Sequence, residues 1–180
     1  GTMTVVRFTP DQSGWYYISN YDEIEESTTT GDLWSENGTP ESRSGGQWKL
    51  EAGKTYIYTY RNYGGENTAS ARMVPDITDL SVDFQSERTL VEGDQLEYGD
   101  LLVEATYQFL DGSSETYGVW NGADEYGNEL TFTIVDQNDS SKYYGLWEEL
   151  PAGEYQVSVS YETDGGHTIS ANTPVFKVYS

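Results

Sequence analysis

Cysteine is absent from this 180-residue sequence, and histidine occurs once, at His167. Without cysteine the chain cannot form a disulfide, a thiolate zinc site or a cysteine nucleophile. A single histidine cannot build a polyhistidine metal centre. The composition therefore excludes most thiol chemistry and most zinc enzymes.

Basic residues are also scarce, because 9 lysines and arginines stand against 31 aspartates and glutamates, which gives a net charge of -22. A phosphate backbone or an anionic leaflet would repel such a chain, so we expect neither nucleic acid nor a membrane surface as a partner. No run of about 18 apolar residues is present that could insert into a bilayer. We predict a secreted or cell-surface protein, extracellular and monomeric, whose acidic surface keeps it soluble.

Aromatic residues, in contrast, are plentiful, with 16 tyrosines and 5 tryptophans, and they favour a folded chain despite its charge. Short segments alternate with a period of two between clusters of Gly, Asp, Asn and Ser, which predicts strands and no amphipathic helix. In the first part, strands are predicted near residues 5–9, 15–20, 32–35, 47–51, 56–60 and 68–74. In the second part, they are predicted near residues 78–85, 101–109, 114–119, 130–135, 154–162 and 174–179.

The charge distribution predicts a boundary between two domains. Residues 1–75 carry 10 acidic and 6 basic side chains, whereas residues 76–180 carry 21 and 3. The change falls at Pro75, which restricts the preceding residue to extended geometry. Many short strands with polar turns are typical of β-sandwiches. We therefore predict an all-β fold of two tandem β-sandwich domains, residues 1–75 and residues 76–180.

Several segments of residues 1–75 resemble the bacterial pre-peptidase C-terminal domain and its jelly-roll relatives. The matching segments are Val6-Arg7-Phe8-Thr9-Pro10, Ser13-Gly14-Trp15-Tyr16, Leu33-Trp34-Ser35-Glu36-Asn37-Gly38 and Leu50-Glu51-Ala52-Gly53-Lys54-Thr55-Tyr56. The resemblance implies a jelly-roll-like sandwich from a secreted bacterial hydrolase or surface protein, where such modules contact carbohydrate or act as spacers.

Residues 76–180 look like a bacterial immunoglobulin-like domain. The matching segments are Ile77-Thr78-Asp79-Leu80-Ser81-Val82, Val91-Glu92-Gly93-Asp94, Leu102-Val103-Glu104-Ala105-Thr106-Tyr107 with Asp111-Gly112-Ser113, and the segment from Pro151 to Tyr161. This resemblance implies an immunoglobulin-like sandwich on a bacterial surface protein. The sequence departs from the family between Trp120 and Trp147, where it is longer and richer in aromatic residues, so this stretch is a candidate for function.

Strand parity separates core aromatics from outward ones, because alternate side chains of a half-buried strand face the core. If Tyr16 and Ile18 point inward, then Trp15 and Tyr17 stand on the outer face. Burial of a tryptophan side chain stabilises the fold by roughly 25 cal/mol per Å² of apolar surface. A tryptophan that is left exposed therefore indicates a partner. By the same parity we assign to the core a set of shared-face residues: Trp48, Leu50, Tyr56, Tyr58 and Tyr60.

Aromatic residues next to turns form a second candidate group. A sugar ring stacks its C–H face on an aromatic ring, while polar side chains bond its hydroxyls. The candidate carbohydrate-binding residues are Trp15, Tyr17, Trp34, Trp120, Asn121, Tyr126, Lys142, Tyr143, Tyr144 and Trp147. Further candidate polar partners are Asp124, Asn128, Gln137 and Asn138. The structural alternative, that these rings cap the open ends of a sandwich core, stays open for each residue.

Catalysis has no motif in this sequence. The chain lacks a Gly-x-Ser-x-Gly elbow, a glycine-rich phosphate loop and a His-Glu-x-x-His motif, and small sandwiches leave little chain for a deep cleft. Clustered acids such as Asp136-Gln137-Asn138-Asp139 and Asp124-Glu125 leave structural calcium as an alternative, although neither has EF-hand spacing. The favoured interpretation is a solvated acidic surface, so we predict no enzyme activity and no cofactor.

The function that these patterns favour is non-catalytic binding of a polysaccharide or oligosaccharide. The ligand is expected to be neutral, and an α-glucan such as starch is preferred because a curved chain suits angled loop aromatics. The alternative is a cell-surface adhesin or spacer whose immunoglobulin-like domain binds a protein or nothing.

Overall fold

The computed structural model describes residues 1–44 and 46–180, and it divides the chain into two compact units, Gly1–Val74 and Pro75–Ser180. The fold is all-β, as predicted, and the second unit adds one short 3₁₀ turn, Tyr98–Asp100. Within the described residues no helix has the length and apolarity needed to cross a bilayer.

The first unit is built from strands that alternate between apolar and polar side chains. In the part that the structure describes they are β1 (Thr2–Phe8), β2 (Gly14–Asp22), β3 (Ser27–Thr29), β4 (Asp32–Ser35), β5 (Arg43–Ser44), β6 (Gln47–Leu50), β7 (Tyr56–Asn62) and β8 (Asn67–Met73). One sheet has the order β1-β7-β4, and the other has the order β3-β2-β6-β5 with β8 paired to β2.

The core of the first unit takes side chains from both sheets. Strands β2 and β6 contribute Tyr16, Ile18, Trp48 and Leu50, and strands β4 and β7 contribute Leu33, Tyr56, Tyr58 and Tyr60. The predicted core assignments of Trp48, Leu50 and the three tyrosines of β7 are therefore confirmed. Because Tyr16 and Ile18 are buried, the alternate positions of β2 face outward.

The second unit follows the same pattern. Its strands are β9 (Asp76–Phe84), β10 (Leu90–Val91), β11 (Leu101–Gln108), β12 (Ser114–Val119), β13 (Thr131–Asp136), β14 (Tyr143–Tyr144), β15 (Gly153–Glu162), β16 (Thr168–Asn172) and β17 (Phe176–Tyr179). One sheet has the order β12-β11-β9, and the other has the order β10-β17-β15-β13-β14 with β16 paired to β15. Pairing is antiparallel except between β10 and β17.

The core of the second unit lies on the inward positions of β11 and β15. Val103, Ala105 and Tyr107 alternate along β11, and Tyr155, Val157 and Val159 alternate along β15. Ile134 of β13 is also fully buried. This arrangement leaves the connections between strands to present the loop aromatics.

Each predicted strand has a counterpart in the structure, and five strands were not predicted: β3, β5, β10, β14 and β16. Four of these have two or three residues, which is too short for a period of two to emerge. The single histidine, His167, closes the turn between β15 and β16, where the Thr163 N–H donates to the His167 carbonyl at 2.7 Å.

Candidate functional site

The second unit gathers predicted site residues around one tyrosine, Tyr98. The Tyr98 ring meets the Trp147 ring edge-on, with centroids 4.7 Å apart and planes at 88°. On another side it contacts the Phe132 ring of β13 at 5.2 Å. The turn that carries Trp120 and Asn121 also lies against Tyr98, as described next. We call Tyr98, Trp120, Asn121 and Trp147 the Tyr98 cluster.

The Asn121-Gly122 turn rests on the Tyr98 phenol. Asn121 and Gly122 both have left-handed backbones, with φ of 62° and 79°, which are conformations that these two residue types tolerate. A Cβ atom on Gly122 would overlap Tyr98, reaching 2.6 Å from its Cζ. Leu130 N–H closes the turn by donating to the Gly122 carbonyl at 2.9 Å. Glycine at position 122 is thus what allows the turn to approach Tyr98.

The indole of Trp120 packs against the backbone at Gly118, and more than half of the side chain remains exposed. A Cβ atom added to Gly118, two positions earlier in β12, would lie 3.1 Å from Trp120 Cζ2, so the indole covers that glycine. The side chain of Trp120 is nevertheless 58% exposed. The prediction that Trp120 is accessible beside its turn is consistent with this placement.

The backbone of Trp147 adopts a conformation that is unusual for a residue with a bulky side chain. Its φ is 64°, in the left-handed region that costs a bulky L-residue roughly 1–2 kcal/mol. Its N–H donates to the Leu96 carbonyl at 2.8 Å, which holds the turn in place. Because the side chain is still 50% exposed, burial alone does not account for a tryptophan here.

Tyr126 occupies a different kind of position from the other loop aromatics. It is only 6% exposed, and its ring packs edge-on to the core residue Tyr107 at 5.4 Å. The Tyr126 ring is therefore placed as the open alternative of core capping describes. The turn residues around Tyr126 do not indicate that its ring is buried, because the burial depends on hydrogen bonds made by Asp124.

Asp124 organises the loop that buries Tyr126. Its carboxylate accepts hydrogen bonds from Tyr107 Oη at 2.7 Å, Tyr126 N–H at 3.0 Å, and both the N–H and the Nδ2 of Asn128 at 2.7 Å. Asn128 is 3% exposed and also contacts Tyr161. Asp124 and Asn128, two candidate polar partners, thus serve the loop itself. Burial and the bond to Asp124 raise the pKa of Tyr107 far above its usual range.

The hairpin of β13 and β14 carries the remaining candidates of the second unit. Lys142 is exposed in the turn, and Tyr143 beside it is 70% exposed. Tyr144 points the other way and packs edge-on to the core residue Tyr155 at 5.9 Å. Gln137 and Asn138 lie in the same turn and are exposed. They are distinct from Phe132, the residue of β13 that contacts Tyr98.

The carboxylates of this turn bond to the chain rather than converge on one point. Asp136 accepts Asn138 N–H at 2.8 Å, and Asp139 accepts Ser141 N–H at 3.1 Å together with the Ser141 hydroxyl. The Ser141 bonds lower the pKa of Asp139. No group of three or more His, Cys, Asp or Glu side chains that could hold a metal ion occurs among the described residues. Structural calcium stays an alternative raised by the sequence.

In the first unit, Trp15 and Tyr17 lie on the outward side of β2, as their parity predicts, and both are half-buried. Trp34 lies on the other sheet, in β4, where its Nε1 donates to Thr59 Oγ1 at 3.0 Å. It lines a cavity of about 150 Å³ with Pro40, Arg43 and Trp48 among others. Trp34 therefore does not share a surface with Trp15 and Tyr17.

The residue that sequence reasoning missed is Tyr98. It precedes Gly99, and an aromatic residue beside glycine is the same signal that pointed to Tyr126. Tyr21, 44% exposed at the outward end of β2, was also missed.

Comparisons with known proteins give no relative to set beside this geometry: no protein-family model matches the chain, and neither a curated protein nor a solved structure matches it.

Proposed function

We infer that this is a non-catalytic extracellular protein that binds a neutral polysaccharide at the Tyr98 cluster. The observation that carries the proposal is the backbone of Trp147, with φ at 64° and half of the side chain exposed. Strained residues that packing does not explain tend to occur at ligand sites. A strained tryptophan held against Tyr98 and left accessible fits a stacking platform.

The chemistry of the cluster suits a sugar. The rings of Trp120 and Trp147 offer apolar faces to the C–H side of a pyranose. Asn121 is exposed at the tip of the turn and can donate to and accept from hydroxyl groups. All four residues of the Tyr98 cluster have uncharged side chains, so recognition would not require a charged ligand. Among neutral glycans we favour an α-glucan, because its curved chain suits rings on separate turns.

The architecture assigned to each unit is part of this proposal. In each unit, buried side chains come from two sheets, as expected of a β-sandwich with its core between the layers. We assign the first unit to jelly-roll-like sandwiches and the second to bacterial immunoglobulin-like ones. Both kinds occur on secreted and surface proteins, which is why an extracellular location is proposed.

The test is native affinity electrophoresis of the whole chain in gels containing starch, xylan, hydroxyethyl cellulose or mannan. We expect retardation in starch, and we expect Trp120→Ala and Trp147→Ala each to weaken it about tenfold, or ~1.4 kcal/mol. Tyr179→Ala is the matched control, because Tyr179 is also 50% exposed but lies in β17. It should migrate like the parent chain.

Two results would overturn the proposal. One is the absence of retardation on every polysaccharide, which would favour the adhesin or spacer alternative. The other is retardation that survives both tryptophan substitutions. Tryptophan fluorescence gives an independent measurement. If Trp120 and Trp147 bind the sugar, their emission should shift to shorter wavelength when a maltooligosaccharide is added.

A further inference from the structure

The outward face of the five-stranded sheet in the first unit carries a line of aromatic side chains. Trp15, Tyr17 and Tyr21 occupy outward positions of β2, since Tyr16 and Ile18 between them face the core. Neighbouring outward residues on a strand are about 7 Å apart, so the rings follow one direction along the sheet. Tyr21 is 44% exposed, and the other two are half-buried. We call this surface the β2 face.

Cations from the neighbouring strands lie on two of these rings. Lys49 of β6 pairs with Trp15, and its Nζ is 5.8 Å from the ring centroid. Arg72 of β8 pairs with Tyr17, and its Cζ is 5.9 Å from that ring. Both distances fall within the range of cation–π contact. Each cation thus lies beside an aromatic ring while it remains exposed to solvent.

The β2 face also differs from the rest of the chain in charge. Its outward strand positions, by register, are Trp15, Tyr17, Ser19, Tyr21, Thr28, Ser44, Gln47, Lys49, Thr68, Ser70 and Arg72. None of these described residues is acidic, although the whole chain contains 31 acidic residues. The face is therefore a cationic and aromatic surface on a protein with a net charge of -22.

We propose that the β2 face binds an acidic polysaccharide whose sugar rings carry carboxylates, that is, a polyuronate chain. The exposed ring of Tyr21 would stack on one sugar, and the accessible parts of Trp15 and Tyr17 would contact other sugars of the chain. Lys49 and Arg72, beside those two rings, would pair with the carboxylates. The hydroxyl groups of Thr68 and Ser70 lie along the same face and would form hydrogen bonds with the sugar hydroxyls. A straight line of rings on a sheet suits an extended chain.

Charge density selects this ligand over other polyanions. Double-stranded nucleic acid carries one charge per 1.7 Å of axis, and the acidic remainder of the protein would repel so dense a polymer. A polyuronate carries one charge per sugar ring, so two cations on the face can match the carboxylates that touch it. A neutral chain would make no use of the positive charges of Lys49 and Arg72.

This site is separate from the Tyr98 cluster, because it lies in the other unit and takes a charged ligand. The experiment is isothermal titration of the whole chain with polygalacturonate and with the same polymer after methyl esterification, which removes the charge and keeps the backbone. We expect binding to polygalacturonate, roughly tenfold weaker binding to the ester, and the same starch retardation in every variant made on the β2 face.

Matched charge variants decide the role of the cations. Lys49→Gln and Arg72→Gln should each weaken polygalacturonate binding roughly fivefold, whereas Lys54→Gln and Arg61→Gln, exposed cations outside the β2 face, should have little effect. Tyr21→Ser should weaken binding without altering charge, and circular dichroism would verify that each variant is folded. Equal affinity for polymer and ester, equal effects of all four charge variants, preference for an acidic protein or for DNA, or no binding would each overturn the proposal.

Discussion

Tyr98 and Trp147 meet edge to face at 4.7 Å, and they come from turns about 50 residues apart in the sequence. The same tyrosine lies beneath Gly122, so one phenol supports two turns that carry exposed tryptophans. Tyr98 is thus a positioning residue. The ligand-facing rings that it supports are those of Trp120 and Trp147.

Replacing Tyr98 should separate positioning from contact. We expect Tyr98→Ala to lower the free energy of unfolding by about 2–4 kcal/mol, because a half-buried ring and its two aromatic contacts are lost. We expect it to abolish starch retardation as well, because Trp147 loses its support. Tyr98→Phe keeps the ring and should retain most of both properties. Urea unfolding and affinity electrophoresis measure the two quantities, and full binding by Tyr98→Ala would contradict the positioning role.

The backbone of Trp147 gives a prediction with an unusual sign. In a left-handed conformation glycine is favoured over alanine, because alanine retains the steric cost of Cβ. Trp147→Gly should therefore be about 1 kcal/mol more stable than Trp147→Ala, although neither variant has a ring and neither should bind starch. Urea unfolding of the two variants compares them directly. If the alanine variant is the more stable one, the left-handed backbone is not retained in solution.

Strand parity was the part of the fold that the sequence predicted best. Tyr56, Tyr58 and Tyr60 lie at alternate positions and are all buried, and the opposite parity places Trp15 and Tyr17 outward. Alternation is a local property of a strand, so it can be read from a few consecutive residues.

Loop aromatics were harder to assign, because their burial depends on contacts from distant strands. Trp120 and Tyr126 each stand next to turn residues, Asn121-Gly122 and Gly127-Asn128, yet one is 58% exposed and the other 6%. The difference arises from Asp124, which ties the Tyr126 loop to the Tyr107 hydroxyl in β11. Tyr98 was missed for the same reason, since its contact with Trp147 joins segments that no local pattern connects.

Asp124 should be important for stability, because four hydrogen bonds converge on its carboxylate. Asp124→Ala would leave the buried hydroxyl of Tyr107 without its acceptor, and we expect a loss of roughly 3 kcal/mol in the free energy of unfolding. Asp111→Ala is a suitable control, since Asp111 is exposed and its carboxylate bonds only locally, to Ser113. The control should cost well under half as much. Similar losses in the two variants would show that Asp124 does not organise the loop.

Two buried tyrosines should make the protein lose stability in alkali. Burial raises the pKa of Tyr58 to about 12 and that of Tyr107 still further, whereas an unfolded tyrosine titrates near pH 10. A pKa that is raised in the folded state contributes stability that is complete below pH 10 and is lost as pH rises toward the folded value. The free energy of unfolding should therefore fall steadily above about pH 10.

Phenylalanine variants identify which tyrosines cause this loss. Tyr58→Phe removes a hydroxyl that donates to Asn20 at 2.8 Å, and Tyr107→Phe removes the one that donates to Asp124 at 2.7 Å. Each variant should be less stable than the parent at pH 8, and the difference should shrink by pH 11, because only the parent must keep that buried phenol protonated. Tyr143→Phe, at a side chain that is 70% exposed, should leave the pH dependence unchanged. Urea unfolding at pH 8, 9, 10 and 11 measures these slopes, and a constant difference across that range would show that neither buried hydroxyl resists ionisation.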